Sequence, residues 1–194
     1  MPKKKSIKLA VQRFDDAADN IMDFFRGTAG LKEEYNCWCA DYAIIRLYRE
    51  FENLMLDALA GAINNDARTI SSTVGFTFPK HMTDNVCRYL IVGTGYFDFK
   101  GRDGLIKIVK DFVPGDHYLI KILKDSQFKS PLERLSGLRN LAAHESEKAK
   151  EAARKAVGTK IGSAGSWLRT QDRMEALCNS LKKLSSEIDK KAPY

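Results

Sequence analysis

Cysteine and histidine are scarce in this chain, with four and three copies among 194 residues. Cys37, Cys39, Cys87 and Cys178 make no paired C-x-x-C framework, and so few histidines cannot complete a zinc site with them, so no structural metal is expected. Cys37 and Cys39 read as two small residues on different faces of one helix. There is no secretory leader pattern and no apolar run approaching the roughly 20 residues that cross a bilayer. The expectation is a cytoplasmic chain with reduced thiols, no cofactor and no membrane contact. Internal repeats and low-complexity tracts are also missing.

What is present is a 44% hydrophobic content, enough for a real core, and a modest basic excess. The balance of 32 Lys plus Arg against 25 Asp plus Glu gives a formal charge of +7, which favours a polyanionic partner. One domain is expected over residues 1–194. Residues 1–5, with Lys3-Lys4-Lys5, read as a basic disordered terminus, and residues 145–165 as a charged extension with a glycine-rich link.

Apolar residues recur at helical spacing nearly everywhere, so the fold is expected to be all-α, an up-and-down bundle of about five to seven helices. Ile7, Val11, Phe14, Ala18, Ile21 and Phe25 mark a first helix from Ser6 to about Arg26, ended by Gly27 and Gly30. The next, Glu34 to Asn64, is apolar over more than one face and should be central. One stripe carries Trp38, Tyr42, Ile45, Tyr48, Leu56 and Leu59; another carries Ile44, Leu47, Phe51 and Leu54. Asp66 to Lys80 reads as a long loop with Phe76 and Phe78 as anchors. Helices are expected over Pro79–Val92, with Met82, Val86, Tyr89 and Leu90 inward and His81 on the surface at its start, over Gly104–Phe112, and over Tyr118–Lys124 capped by Asp116. Between them, Tyr96-Phe97-Asp98-Phe99-Lys100-Gly101-Arg102 interleaves aromatic and basic residues. Such a mix either stacks bases and holds phosphates or plugs a loop into the core. A last helix runs from Ser166 to about Lys190 with Trp167, Met174, Leu177, Leu181, Leu184 and Ile188 inward.

Glu52 stands in the apolar stripe of the central helix. A buried acid is costly unless paired, so it should meet Arg49, Arg139 or another cation, or line a cavity.

The residues that most resemble chemistry lie on a helix beginning at Ser130 or Pro131 and ending at His144. Leu135, Leu138 and Ala142 share one azimuth; Glu133, Ser136, Asn140, His144 and Glu147 share the opposite one. Asn140 and His144 are i and i+4, so the amide can contact the imidazole. Arg139 stands at the border of the two faces. Beyond His144, the charged and alanine-rich stretch is either an extension of this helix or a mobile flap. If it continues helically, Arg154 and Lys155 stay near the azimuth of His144, and with Lys148 they are candidates for binding RNA phosphates.

Arg139-Asn140-x-x-x-His144 resembles the Arg-x(4–6)-His signature of HEPN-domain ribonucleases, in its commoner active form beginning Arg-Asn. Length and spacing resemble the RiboL-PSP type of prokaryotic HEPN proteins. The likeness runs through the long helix, the Tyr96–Phe99 segment, the motif helix and the Trp167-led final helix, most of residues 35–190. It implies catalytic roles for Arg139, Asn140 and His144, and an auxiliary place for Glu52 and Ser136. It also implies a toxin or phage-defence effector, with a possible cognate antitoxin or regulatory partner. Many members place a glycine directly after the histidine, where this chain has Glu145. That departure keeps open an inactive HEPN-like module that binds nucleotide or protein.

RNA carries its own nucleophile, the 2′-OH, so cleavage needs proton transfers, which suit histidine, and stabilisation of a phosphorane, which suits arginine. The expected products are a 2′,3′-cyclic phosphate and a 5′-OH, formed without metal. One histidine cannot easily act as both base and acid across an in-line displacement. A two-fold dimer would supply the second, an arrangement the family resemblance also implies.

Overall fold

The computed structural model describes residues 6–79 and 82–193. Lys3–Lys5 and His81 lie outside the described residues. Within these bounds the chain forms ten α-helices and one short 3-10 turn, with no strand, so the fold is all-α.

Helix α1 (Ile7–Gly27) starts at Ser6, whose hydroxyl accepts the Leu9 N–H at 3.3 Å, and buries Ile7, Val11, Phe14, Ala18 and Ile21. Helix α2 (Glu33–Asn65), 33 residues or about 50 Å long at 1.5 Å per residue, is the spine. Ile44, Leu47, Tyr48, Phe51, Leu54, Met55 and Leu59 are buried around much of its circumference. Its N-terminal half departs from expectation: Trp38 and Tyr42 are 59% and 58% exposed. There α1 flanks α2 through Phe24 on Tyr42, ring centroids 5.8 Å apart, and the Gly165 N–H reaches Asp41 from another side. The face between these contacts is left to solvent.

The helix count exceeds the five to seven expected, for local reasons. The stretch expected to be a loop contains α3 (Arg68–Val74), closed by Gly75 at φ 69°, where a Cβ-bearing residue would be strained. Helix α4 (Asp84–Val92) begins late because the Thr83 hydroxyl caps it through the Val86 N–H, and its buried residue is Cys87. Val86 and Tyr89, expected inward, are 44% and 62% exposed, and Phe76 is 63% exposed. Cys87 joins Ala60, Ile63, Ile70 and Met82 in a small satellite core. Helices α5 (Gly101–Lys110) and α6 (Tyr118–Lys124) follow, the latter capped by the His117 ring rather than by Asp116. After the 3-10 turn Ser126–Phe128 come α7 (Lys129–His144) and α8 (Glu147–Val157). The final helix is split into α9 (Ala164–Leu168) and α10 (Arg173–Lys191), because Gln171 and Asp172 adopt positive φ between them. One main core joins α1, α2 and α5 to α10, and among the described residues no helix is long and apolar enough to cross a membrane.

Candidate functional site

Helix α7 is buried on its apolar side through Leu132, Leu135, Leu138 and Leu141, which leaves Glu133, Asn140 and His144 on the far side. That far side opens into a cleft. At Glu145 the backbone turns to φ 45°, ψ 18°, the left-handed region, and ends α7. Ser146 then accepts the Ala149 N–H at 3.2 Å and starts α8, which folds back along α7. The two helices approach at Gly137, where a Cβ would lie 3.0 Å from the Ala156 methyl and 3.3 Å from the Ala153 Cα. A larger residue at 137 would push α8 away.

Opposite α8, the Asp98–Gly101 segment forms the second wall, pinned by α7 itself. Ser136 Oγ accepts the Gly101 N–H at 3.1 Å and Glu133 accepts the Arg102 N–H at 2.9 Å, so two residues of the polar stripe satisfy the free N–H groups at the start of α5. Gly101, at φ 64°, has no room for a side chain against the Glu133 carboxylate. Ser136, expected as an auxiliary site residue, lines the cleft and at the same time holds its wall.

Between these walls lies a cleft of about 900 Å³ that includes Arg139, Asn140 and His144. It runs along α7 from Lys129 to His144, about 22 Å at 1.5 Å per residue. Lys100, Lys129, Arg139, Lys148 and Lys155 give it five cationic side chains against the two carboxylates of Asp98 and Glu133. Lys148 and Lys155 line this cleft, brought there by α8 folding back rather than by the helical continuation of α7 that would have put Lys155 near His144. Arg154 does not: it is exposed and outside the cleft, because α8 restarts with its own phase after the break at Glu145.

Arg139 is held from several directions. Its guanidinium lies over the Tyr48 ring, 4.5 Å from the centroid, and donates from Nη1 to Asn140 Oδ1 at 2.9 Å. Nη2 stands 3.8 Å from Asp98. The Tyr48 hydroxyl lies 2.8 Å from both Asp98 Oδ1 and the Phe99 carbonyl, which share its single proton, and it accepts the Phe99 N–H at 3.2 Å. Burial pushes the Tyr48 phenol well above its ordinary value; the hydrogen bond to the Phe99 backbone opposes this, and the adjoining Asp98 carboxylate adds to the rise. The Asn140 amide oxygen is thus taken by Arg139, and no hydrogen bond joins Asn140 to His144 among the described residues.

Glu52 is 6% exposed and lies beside this group. Burial pushes its carboxyl up to about 7; Arg139 and Arg49 pull the other way, and Asp98 adds to the rise. Among the described residues Glu52 makes no ion pair and no hydrogen bond, and it is not part of the cleft lining; Arg139 and Arg49 act on it only through space. Sequence reasoning missed Tyr48 and Asp98 as parts of the site. The available signals were the i, i+4 spacing of Tyr48 and Glu52 on α2 and the alternation in Tyr96-Phe97-Asp98-Phe99.

The fold and site define an all-α protein with a basic cleft built on an Arg-Asn-x-x-x-His helix. Compared with protein families, with characterised proteins and with solved structures, the chain matches none.

Proposed function

We propose that this protein is a metal-independent endoribonuclease, acting as a cytoplasmic toxin or phage-defence effector, that cleaves RNA to 2′,3′-cyclic phosphate and 5′-OH ends. The observation that carries this reading is the meeting of Arg139 and His144 in one basic cleft long enough for several nucleotides of single-stranded RNA, with the guanidinium already set in place by Tyr48, Asp98 and Asn140. Preorganised charge of this kind lowers the barrier because nothing needs to reorient as the phosphorane forms.

In the proposed reaction an imidazole takes the 2′-O proton, the 2′-oxygen bonds to phosphorus, and the phosphorus–O5′ bond breaks as O5′ receives a proton from a second imidazole. Arg139 offers its planar fork to the non-bridging oxygens. The acid and base are His144 and His144 of the partner subunit in a homodimer, since one imidazole on one side of the phosphate cannot serve both ends of an in-line displacement. Exposure of His144 at the C-terminus of α7 supports this arrangement. The deciding experiment is an RNA digest with end-group determination beside mass measurement in solution. Cleavage that survives His144→Ala or Arg139→Ala, or that stops on adding EDTA, sinks the reading.

One observation favours a second reading, an inactive nucleotide- or protein-binding module. Glu145 puts a carboxylate directly after His144, in a left-handed conformation suited to glycine. That reading predicts RNA binding without product, and expression that does not harm the host. The nuclease predicts harm relieved by His144→Ala.

A further inference from the structure

The segment between α4 and α5 carries a side chain that the proposed reaction does not use. Tyr96 is 86% exposed, more than any other large apolar residue described, and its ring has no aromatic, cationic or hydrogen-bonding partner among the described residues. An unanchored loop would make this unremarked surface. Here the loop is pinned on both sides of the ring. Phe97 and Phe99 are 8% and 2% exposed, Phe99 stacks on Tyr48 with centroids 4.9 Å apart, and the Gly95 N–H closes a turn onto the Val92 carbonyl at 2.9 Å.

Burial alternates strictly through this stretch: Tyr96, Asp98 and Lys100 point out, Phe97 and Phe99 point in. Alternation of this kind puts every second side chain on one side of the backbone. Asp98 and Lys100 line the cleft, and Tyr96 lies two residues before Asp98 on the segment leading into that wall, which keeps its backbone within about 7 Å of that of Asp98. The core-plugging duty open to these aromatics is taken by the two phenylalanines. The tyrosine is left exposed on an anchored segment that leads into the wall of the cationic cleft.

We infer that Tyr96 is a base-stacking platform: when single-stranded RNA lies in the cleft along α7, one nucleobase leaves the phosphate track and stacks on the Tyr96 ring. The inference rests on the RNA reading above and adds the base subsite to it. A cationic groove for the backbone with an aromatic face beside it is the arrangement that holds single strands with little sequence preference, since every base has a π-face. A tyrosine with only two side-chain torsions to fix loses little entropy on making that contact. A free phosphate or an inorganic polyphosphate would gain nothing from the ring, which is why a base is assigned here.

The test uses the full-length protein and two probes that it cannot cleave. One is a 2′-O-methyl oligoribonucleotide of mixed sequence, which lacks the nucleophile; the other has the same length and charge but carries abasic sugars. Tyr96→Ala is expected to weaken binding of the first about 5- to 150-fold, from ~1–3 kcal/mol per stacked base, and to leave binding of the abasic probe unchanged. Tyr96→Phe, which keeps the ring, should bind both as the parent does. Unchanged affinity of Tyr96→Ala for the first probe overturns the inference, and so does an equal loss on both probes. A parent protein that binds neither probe at low salt overturns the RNA reading with it. RNA that is bound but never cleaved sinks the nuclease alone, and the variants still decide the base subsite.

Discussion

Replacing Glu52 with glutamine should stabilise the protein at alkaline pH and do nothing in acid. The carboxyl is 6% exposed and its folded pKa stands at about 7, against an ordinary 4.5, chiefly because burial disfavours the anion. A group whose folded pKa is raised binds its proton more tightly in the folded state. Stability is therefore fully present below about pH 4.5, falls as pH rises from there to about 7, and is flat above. The interval corresponds to about 3 kcal/mol at 1.36 kcal/mol per unit, and screening by water in the adjoining cleft reduces the expected loss to about 2 kcal/mol. Glu52→Gln keeps the shape and removes the ionisation. Against the usual ~2–4 °C per kcal/mol for a chain of this size, its Tm should exceed the parent's by about 4–8 °C at pH 8 and match it near pH 4.5. Paired thermal melts from pH 4.5 to 9 read this directly. A Tm difference that does not change with pH refutes the reasoning. A less stable variant at pH 8 would mean that attraction to Arg139 outweighs the burial of the charge.

Three more expectations follow from the same geometry. Glu145→Gly should raise Tm by about 2–4 °C, because ~1 kcal/mol of left-handed backbone strain is relieved at φ 45°. It also removes a carboxylate that adds to the raised pKa of Asp41, after burial; an unchanged or lower Tm counts against the strain. Binding of uncleavable single-stranded RNA should fall with salt at a log–log slope of up to about −3.5, from five cations at −0.7 each, and Lys148→Ala with Lys155→Ala should reduce that slope by about 1.4. A salt-independent affinity would remove the cleft as the binding site. Tyr48→Phe leaves the buried Phe99 N–H without its acceptor, which should cost about 1–3 kcal/mol and lower Tm by roughly 2–12 °C, read by calorimetry. An unchanged Tm would show that another acceptor takes its place.

The sequence by itself determined the all-α fold, the extents of α1, α2 and α7 to within a residue or two, and the shared side of Glu133, Asn140 and His144. Each follows from periodicity along a single helix, where position fixes azimuth. It also marked Glu52, since a carboxylate among leucines announces itself locally. Only the tertiary structure decided what those faces meet. One backbone angle at Glu145 turned an apparent extension of α7 into the wall of a cleft and took Arg154 out of it. The exposure of Trp38 and Tyr42 depended on which flanks of α2 its neighbours reach. The setting of Arg139 by Tyr48 and Asp98 joins residues 91 and 41 positions away in the chain, a distance over which no helical period carries information.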